Sequence, residues 1–120
     1  MNPNVPVATA LLNALRAKNL GAAPLAQQVR YVSPLAGEEP VVGRESVIKF
    51  LGAYLPFITE VTVLHILSEG DEVCMHWRLD GTFAPLSIVY WLRMKDGQIV
   101  DILASYDPRP FLDAIGAHGD

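Results

Sequence analysis

Apolar and polar residues alternate with a period of two in the second half of the chain, and this pattern predicts β-strands. Four segments from Val61 onward show it: "VTVLHILS", "EVCMHWRLD", "LSIVYWLRM" and "QIVDILASY". Glu69-Gly70-Asp71, Asp80-Gly81 and Asp96-Gly97 separate them, and the Asp-Gly pairs favour tight hairpin turns. We therefore expect a four-stranded antiparallel meander.

The first half of the chain instead repeats apolar residues at helical spacing. In "NVPVATALLNALRAKNLG" an apolar residue recurs every fourth position at Val7, Leu11 and Leu15, with Asn4 as the expected N-cap and Gly21 as the expected stop. A second helix is expected in "GRESVIKFLGAYLPFI", ending or kinking near Leu55 because Pro56 cannot continue it.

Shorter elements complete the prediction. Residues 22–28 are expected to form a helical turn and "QVRYVS" a short strand. The tail "YDPRPFLDAIG" is expected to form a last helix, with Asp107 as its cap and Gly116 at its stop. Helices followed by a meander give an α+β layout, in which the apolar sides of the helices cover one face of the sheet.

Composition limits the classes of function. The 120 residues suffice for one domain, 1–120, with a core of its own. Only 18% of residues are charged and the net charge is −4, which argues against a nucleic-acid partner. The single cysteine, Cys74, favours a reducing, cytoplasmic location. We expect no membrane association, because the uncharged first fifteen residues lack a basic signal-peptide start and no apolar run can span a bilayer.

Two segments carry a resemblance to a known family. "YVSPLAGEEPVVGRESVIKFL" and "RMKDGQIVDILASYDPRPF" resemble the strand-to-helix segment and the final hairpin of the SnoaL-like, ketosteroid isomerase-like (nuclear transport factor 2-like) superfamily. The resemblance covers nearly the whole chain. It implies a cystatin-like α+β fold, a cone-shaped barrel of a curved, mostly antiparallel sheet wrapped around N-terminal helices.

The resemblance also implies candidate catalytic positions. In the family's isomerases, a carboxylate before the proline takes a proton beside a carbonyl, and an aspartate on the third meander strand donates a hydrogen bond to the oxygen, helped by a tyrosine on the first helix. Those two carboxylate positions fall on Ser33 and Tyr90, while the cyclases' acid falls near Ala104. A tyrosine hydroxyl can still donate, but a serine without an adjacent base cannot take a proton from carbon.

Strand alternation then predicts the wall of a pocket. If Tyr90 faces inward, its outward neighbours include Val89, Trp91 and Arg93. The expected wall is apolar and aromatic with a few hydroxyls, and it suits a small hydrophobic molecule bearing one or two oxygens. Its expected members are Tyr31, Ser33, Tyr54, Met75, Trp77, Ile88, Tyr90, Ile102 and Tyr106.

The outward face is expected to be an interface. It combines apolar residues with charges, and a sheet face this apolar is seldom left to water, so we expect a homodimer through it. Asp101 and His76 are assigned outward, although a one-residue slip in register would bring either into the pocket. His65 and His118 have no partners at metal-ligand spacing, so we expect no metal and no cofactor.

Three functions remain open on these residues. The first is an isomerase, cyclase or hydrolase, whose base would have to be Asp101, Asp107 or His76. The second is a non-catalytic dimeric binder, because the family's acids are missing. The third is a structural module whose pocket is filled by packing. A buried acid or imidazole near Tyr90 would favour catalysis, and an open cavity with hydroxyls alone would favour binding.

Overall fold

The computed structural model describes residues 2–34, 39–82 and 85–114. One six-stranded sheet carries helices on one of its faces. Its elements are α1 Asn4–Arg16, β1 Leu25–Val32, β2 Val41–Val42, α2 Arg44–Gly52, β3 Ile58–Glu69, β4 Glu72–Gly81, β5 Leu86–Lys95, β6 Gln98–Ser105 and α3 Arg109–Ala114, with 3-10 turns at Leu20–Ala22 and Leu55–Phe57.

The sheet has the order β2-β1-β6-β5-β4-β3. Strands β3 to β6 form the predicted antiparallel meander. Strand β1 joins it by pairing in parallel with β6, where Tyr31 lies opposite Ile102. Irregularities in the pairing of β3 and of β5 bend the sheet. The α+β prediction is therefore confirmed, with an open curved sheet whose edges are β2 and β3.

The alternation predicted for the strands is confirmed in β4, β5 and β6, whereas most of β3 is exposed on both sides. On β5, the residues Leu86, Ile88, Tyr90 and Leu92 are buried, whereas Trp91 is 47% exposed. On β4 and β6 the same inward positions are buried. One face of the sheet is therefore the core side, and the opposite face is open to solvent. We call the second face the outer face.

Helices α1 and α2 cover the core side. The apolar stripe of α1 packs across β3, β4, β5 and β6, and Leu11 on this stripe is fully buried. The Arg16 guanidinium donates two hydrogen bonds, of 3.2 and 2.9 Å, to the carbonyl oxygen of Val61 and ties the end of α1 to β3. Helix α2 packs against β1 through Val47 and Leu51. No helix among the described residues is long and apolar enough to cross a membrane.

The ends of α1 differ from the prediction. Asn4 is already helical, and Asn2 takes the capping role because its Oδ1 accepts a hydrogen bond from the Asn4 backbone N–H at 2.9 Å. The helix ends at Arg16, and Lys18 adopts the left-handed conformation at φ 54° in place of Gly21. Gly21 instead lies in the 3-10 turn that follows.

Two further predictions about helices are wrong. The helical turn expected over residues 22–28 is largely strand β1, because Leu25 and Val29 are buried and the strand pairs with β6. Helix α2 stops at Gly52, before the expected boundary at Leu55, because glycine weakens a helix end and the next turn is a 3-10 turn containing Pro56.

Two of the three predicted turns have the conformation that their residues favour. Asp96 and Gly97 both have positive φ, 53° and 77°, as a type I′ hairpin requires, and Gly70 has φ 59°. The tight turn predicted at Asp80-Gly81 is wrong, because β4 continues to Gly81, which pairs with Ile58 on β3. Asp107 caps α3 as expected, because its Oδ1 accepts a hydrogen bond from the Arg109 backbone N–H at 3.0 Å. Gly116 lies outside the described residues.

Candidate functional site

A cavity lies between the helices and the core side of the sheet. Strands β1, β3, β4 and β5 form its floor, while α1, α2 and the Leu55–Phe57 turn form its roof. Its lining is aromatic and aliphatic: Leu15, Tyr31, Phe50, Leu51, Tyr54, Leu55, Ile58, Val61, Trp77, Leu79, Ile88, Tyr90 and Tyr106.

Six of the nine residues predicted for the wall line this cavity: Tyr31, Tyr54, Trp77, Ile88, Tyr90 and Tyr106. Met75 and Ile102 are fully buried in the core beside it, Met75 opposite Tyr90 and Ile102 opposite Tyr31 in the sheet. Ser33 is buried next to the wall without being part of it.

The helices supply wall residues that the sequence analysis did not assign. Leu15 comes from α1, Phe50 and Leu51 come from α2, and Leu55 follows α2. The sequence signal for these wall residues was the apolar stripe on each of the two helices. A stripe shows which side of a helix is covered, but it does not show which of its residues border empty space.

Tyr31 and Tyr90 are joined by a buried hydrogen bond. Their hydroxyl oxygens are 3.0 Å apart, and their rings meet edge to face at 6.0 Å between centroids. The two residues lie on β1 and β5, with β6 between them, and Ala104 on β6 lies opposite Tyr90. The small side chain of Ala104 leaves room above β6 for the two hydroxyls to meet.

Apart from aromatic residues, Ser33 is the only buried side chain with a polar group among the described residues, with 4% of its surface exposed. Its hydroxyl makes side-chain hydrogen bonds with Tyr31 and Tyr106. We call Tyr31, Ser33, Tyr90 and Tyr106 the hydroxyl cluster. Ser33 serves as a hydrogen-bonding member of this cluster.

The hydroxyl cluster is electrically neutral near physiological pH. Burial raises the pKa of Tyr90, although the hydrogen bond with Tyr31 partly opposes the shift. Burial also raises the pKa of Tyr31 and of Tyr106, while hydrogen bonds with Ser33 lower both. The phenols therefore stay protonated, so they can donate hydrogen bonds but do not act as bases.

The three candidate bases lie elsewhere. Asp101 accepts a hydrogen bond from Arg93 Nε at 2.8 Å on the outer face. His76 lies on the same face, with Nε2 2.6 Å from Ser87 Oγ. Asp107 is exposed, and hydrogen bonds from the Arg109 side chain and backbone lower its pKa to about 2. The outward assignments of Asp101 and His76 are confirmed, and no described residue of the cavity wall carries a carboxylate or an imidazole.

The cavity is narrow. Its empty space, including the open mouth, is about 520 Å³, but only about 40 Å³ can hold the centre of a water molecule. One water requires roughly 10–15 Å³ on the second measure. The closed space therefore holds a group of a few non-hydrogen atoms. Among the described residues, no three potential metal ligands lie close enough to hold an ion.

Comparisons with known proteins place this geometry among related folds. The model of a SnoaL-like domain matches residues 8–102. A Silicibacter pomeroyi DSS-3 protein with a cystatin-like fold is 20% identical, with a TM-score of 0.80 over 94% of this chain and 84% of that one. An NTF2-like protein of unknown function from Cytophaga hutchinsonii is 17% identical, with a TM-score of 0.77 over 93% and 96%.

A third similar structure contains a small molecule. It is a hypothetical protein with a ketosteroid isomerase-like fold from Catenulispora acidiphila DSM 44928, in complex with trimethylamine. It is 21% identical, with a TM-score of 0.76 over 97% of this chain and 95% of that one. No curated protein matches the sequence.

The Tyr31–Tyr90 hydrogen bond makes a prediction about stability. Tyr31→Phe and Tyr90→Phe should each lower the free energy of unfolding by about 1–2 kcal/mol, because each leaves a buried hydroxyl without this partner. The double variant should cost less than the sum of the single variants by about 1 kcal/mol. Urea unfolding near neutral pH measures all four proteins. Strictly additive costs would show that the two hydroxyls are not coupled.

Proposed function

The chain belongs to the SnoaL-like domain family, and from its cavity we propose that it binds a small, mainly apolar, uncharged molecule carrying an oxygen that accepts a hydrogen bond. The observation that carries the proposal is the neutral hydroxyl cluster beside an otherwise apolar wall. Pockets of this composition bury the apolar part of a ligand and orient it through a few polar groups.

The absence of charge in the described wall supports an uncharged ligand. No described lining residue carries an ionisable acid, an imidazole, a lysine or an arginine. A carboxylate or ammonium group placed there would lose its hydration without gaining an opposite charge, which costs far more than burying a carbonyl group. The raised pKa values of Tyr31 and Tyr90 keep negative charge away from a carbonyl oxygen.

The size of the cavity supports a small ligand. Space for the centres of water-sized spheres amounts to about 40 Å³, so a larger molecule would have to extend through the mouth. The Catenulispora acidiphila protein of similar fold is in complex with trimethylamine, a molecule of only four non-hydrogen atoms. That similarity is one of fold, and trimethylamine itself is not proposed for this chain.

An enzyme is the second candidate function, and the phenol pair favours it. A phenol that accepts a hydrogen bond from a second phenol becomes a stronger donor, and such a donor could polarise a substrate carbonyl. An isomerase, cyclase or hydrolase also needs a group that accepts a proton. No described residue of the wall supplies one, so binding is the better supported function.

Cyclohexanone is a suitable probe, because it is small, apolar and carries one acceptor oxygen. We expect saturable chemical-shift changes in the amide signals of cavity residues on titration of the ¹⁵N-labelled protein. Tyr90→Phe should weaken binding by about threefold to tenfold, as expected for losing one hydrogen bond. Ser87→Ala is the control, since it also deletes a hydroxyl but lies on the outer face.

The same samples in D₂O separate the two functions. A pure binder leaves the protons beside the cyclohexanone carbonyl exchanging at the rate seen without protein, whereas an enzyme with a hidden base accelerates their exchange. Absence of saturable shifts in the wild-type protein would overturn the binding proposal.

We also propose that the chain forms a homodimer through the outer face. Cross-strand neighbours make an apolar row over five strands: Leu67, Cys74, Trp91, Leu103 and Val32. Leu67 is 69% exposed and Leu103 51% exposed. Exposed apolar surface that runs across a whole sheet is typical of protein interfaces.

Charges beside the apolar row support a second copy of the chain as the partner. The neighbouring row reads Glu72, Arg93, Asp101 and Arg30 across four strands, whose charges alternate in sign, and Glu69 continues the row next to Glu72 on β3. If two copies faced each other across a two-fold axis parallel to the strands, this row of one copy would lie against the same row of the other copy in reverse order. Glu72 would then meet Arg30 and Arg93 would meet Asp101, while Glu69 would lie opposite Val42, so the four central positions are self-complementary.

Leu103→Glu should convert the dimer to a monomer, because it places a charge in the middle of the apolar row. Gln98→Glu adds the same charge at an exposed position by the β5–β6 turn and should leave the dimer intact. Sedimentation velocity over a range of protein concentrations measures both. A wild-type protein that stays monomeric throughout would contradict the proposal.

A further inference from the structure

The two tryptophans of the chain are in opposite hydrogen-bonding states. Trp91 lies on the outer face, and its Nε1–H donates a hydrogen bond to Glu72 Oε1 at 2.8 Å. Trp77 is 1% exposed, and its Nε1–H is buried without a hydrogen-bond partner among the described residues. The indole that could use water has a protein partner, and the indole shielded from water has none.

An unpaired buried indole N–H is unfavourable. The group donates and cannot accept, so only an acceptor atom satisfies it. Burial without one costs about 1–3 kcal/mol, and buried polar groups in native proteins are rarely left in this state. A group held unpaired beside a cavity therefore points to an acceptor that enters the cavity.

The neighbours of Trp77 explain why the protein itself supplies no acceptor. Trp77 lies between Val63 on β3 and Ile88 on β5, and both side chains are aliphatic. The nearest hydroxyl-bearing ring is that of Tyr90, with centroids 4.4 Å apart, and the Tyr90 hydroxyl is already bonded to Tyr31. Both Trp77 and Tyr90 line the cavity.

We propose that Trp77 is the residue that selects the ligand's polar group, by donating its Nε1–H to an acceptor oxygen. This inference rests on the proposed binding function and narrows the ligand class to ketones, esters and ethers. The oxygens of these groups accept hydrogen bonds and carry no proton. A ligand hydroxyl would instead bring a proton that the indole cannot accept. A carbonyl oxygen has two lone pairs, which suits the indole and the phenol pair together.

The burial of Trp77 Nε1 should make the cavity selective for ligands that carry an acceptor oxygen. The cavity is the route by which an acceptor would approach Nε1, because Trp77 lines the cavity and Nε1 itself is shielded from solvent. An apolar molecule of the same shape would fill the same space and leave the N–H unpaired. Among ligands of equal size, those with an acceptor oxygen should therefore bind more tightly.

The test compares cyclohexanone with methylenecyclohexane, which has nearly the same shape and no oxygen. The indole ¹H–¹⁵N signals of Trp77 and Trp91 report binding, with Trp91 as the internal control. We expect cyclohexanone to shift the Trp77 signal and to bind at least about fivefold more tightly than the hydrocarbon, the effect of one added hydrogen bond. In Trp77→Phe the ratio of the two affinities should fall below about twofold, whatever the enlarged cavity does to the absolute affinity for both probes.

The outcomes separate this inference from the function on which it rests. Equal binding of both probes, with a stationary Trp77 signal, would overturn the role of Trp77 and leave the binding function standing. Persistence of the preference in a folded Trp77→Phe variant would do the same. Failure of both probes to bind the wild-type protein would overturn both proposals. The shift of the wild-type Trp77 signal does not depend on whether the variant folds.

Discussion

The hydrogen bond between the Tyr31 and Tyr90 hydroxyls is the interaction on which the site depends. Two phenols buried under apolar helices favour pairing, because an unpaired buried hydroxyl costs about 1–3 kcal/mol. Their pairing across β6 requires the parallel alignment of β1 with β6 and a small residue, Ala104, between them. Ser33 and Tyr106 extend the same network. The network gives the cavity a polar floor of hydroxyl groups without a charge.

The two faces of the sheet divide the chemistry of the chain. The paired charges of Arg93 and Asp101 lie on the outer face beside solvent, and the hydroxyl cluster lies on the core side. This separation lets the chain keep the SnoaL-like fold around a cavity whose described wall has no carboxylate or imidazole. The fold needs the apolar side of each strand to be covered, whereas proton transfer needs a carboxylate or an imidazole inside.

Much of the fold could be predicted from the sequence because strand alternation records burial directly. Tyr90 and Trp91 were assigned to opposite faces from their order alone, and the structure confirms both. The position of β1 could not be predicted, since its pairing with β6 joins segments far apart in the chain. That pairing also turned residues from Leu25 onward from the expected helical turn into strand. The Tyr31–Tyr90 bond, the narrowness of the cavity and the unpaired indole of Trp77 depend on packing in three dimensions, which no local pattern records.

The central claim is that the cavity recognises its ligand through neutral hydrogen bonds alone. The most direct measurement is the affinity for cyclohexanone from about pH 5 to about pH 9, a range in which carboxylates with raised pKa values and histidines titrate. Phenols whose pKa values are raised by burial stay protonated throughout it, so the account predicts a constant affinity. An affinity that changes with a clear midpoint inside this range, in a protein that stays folded, would reveal an ionising group at the ligand and contradict the account.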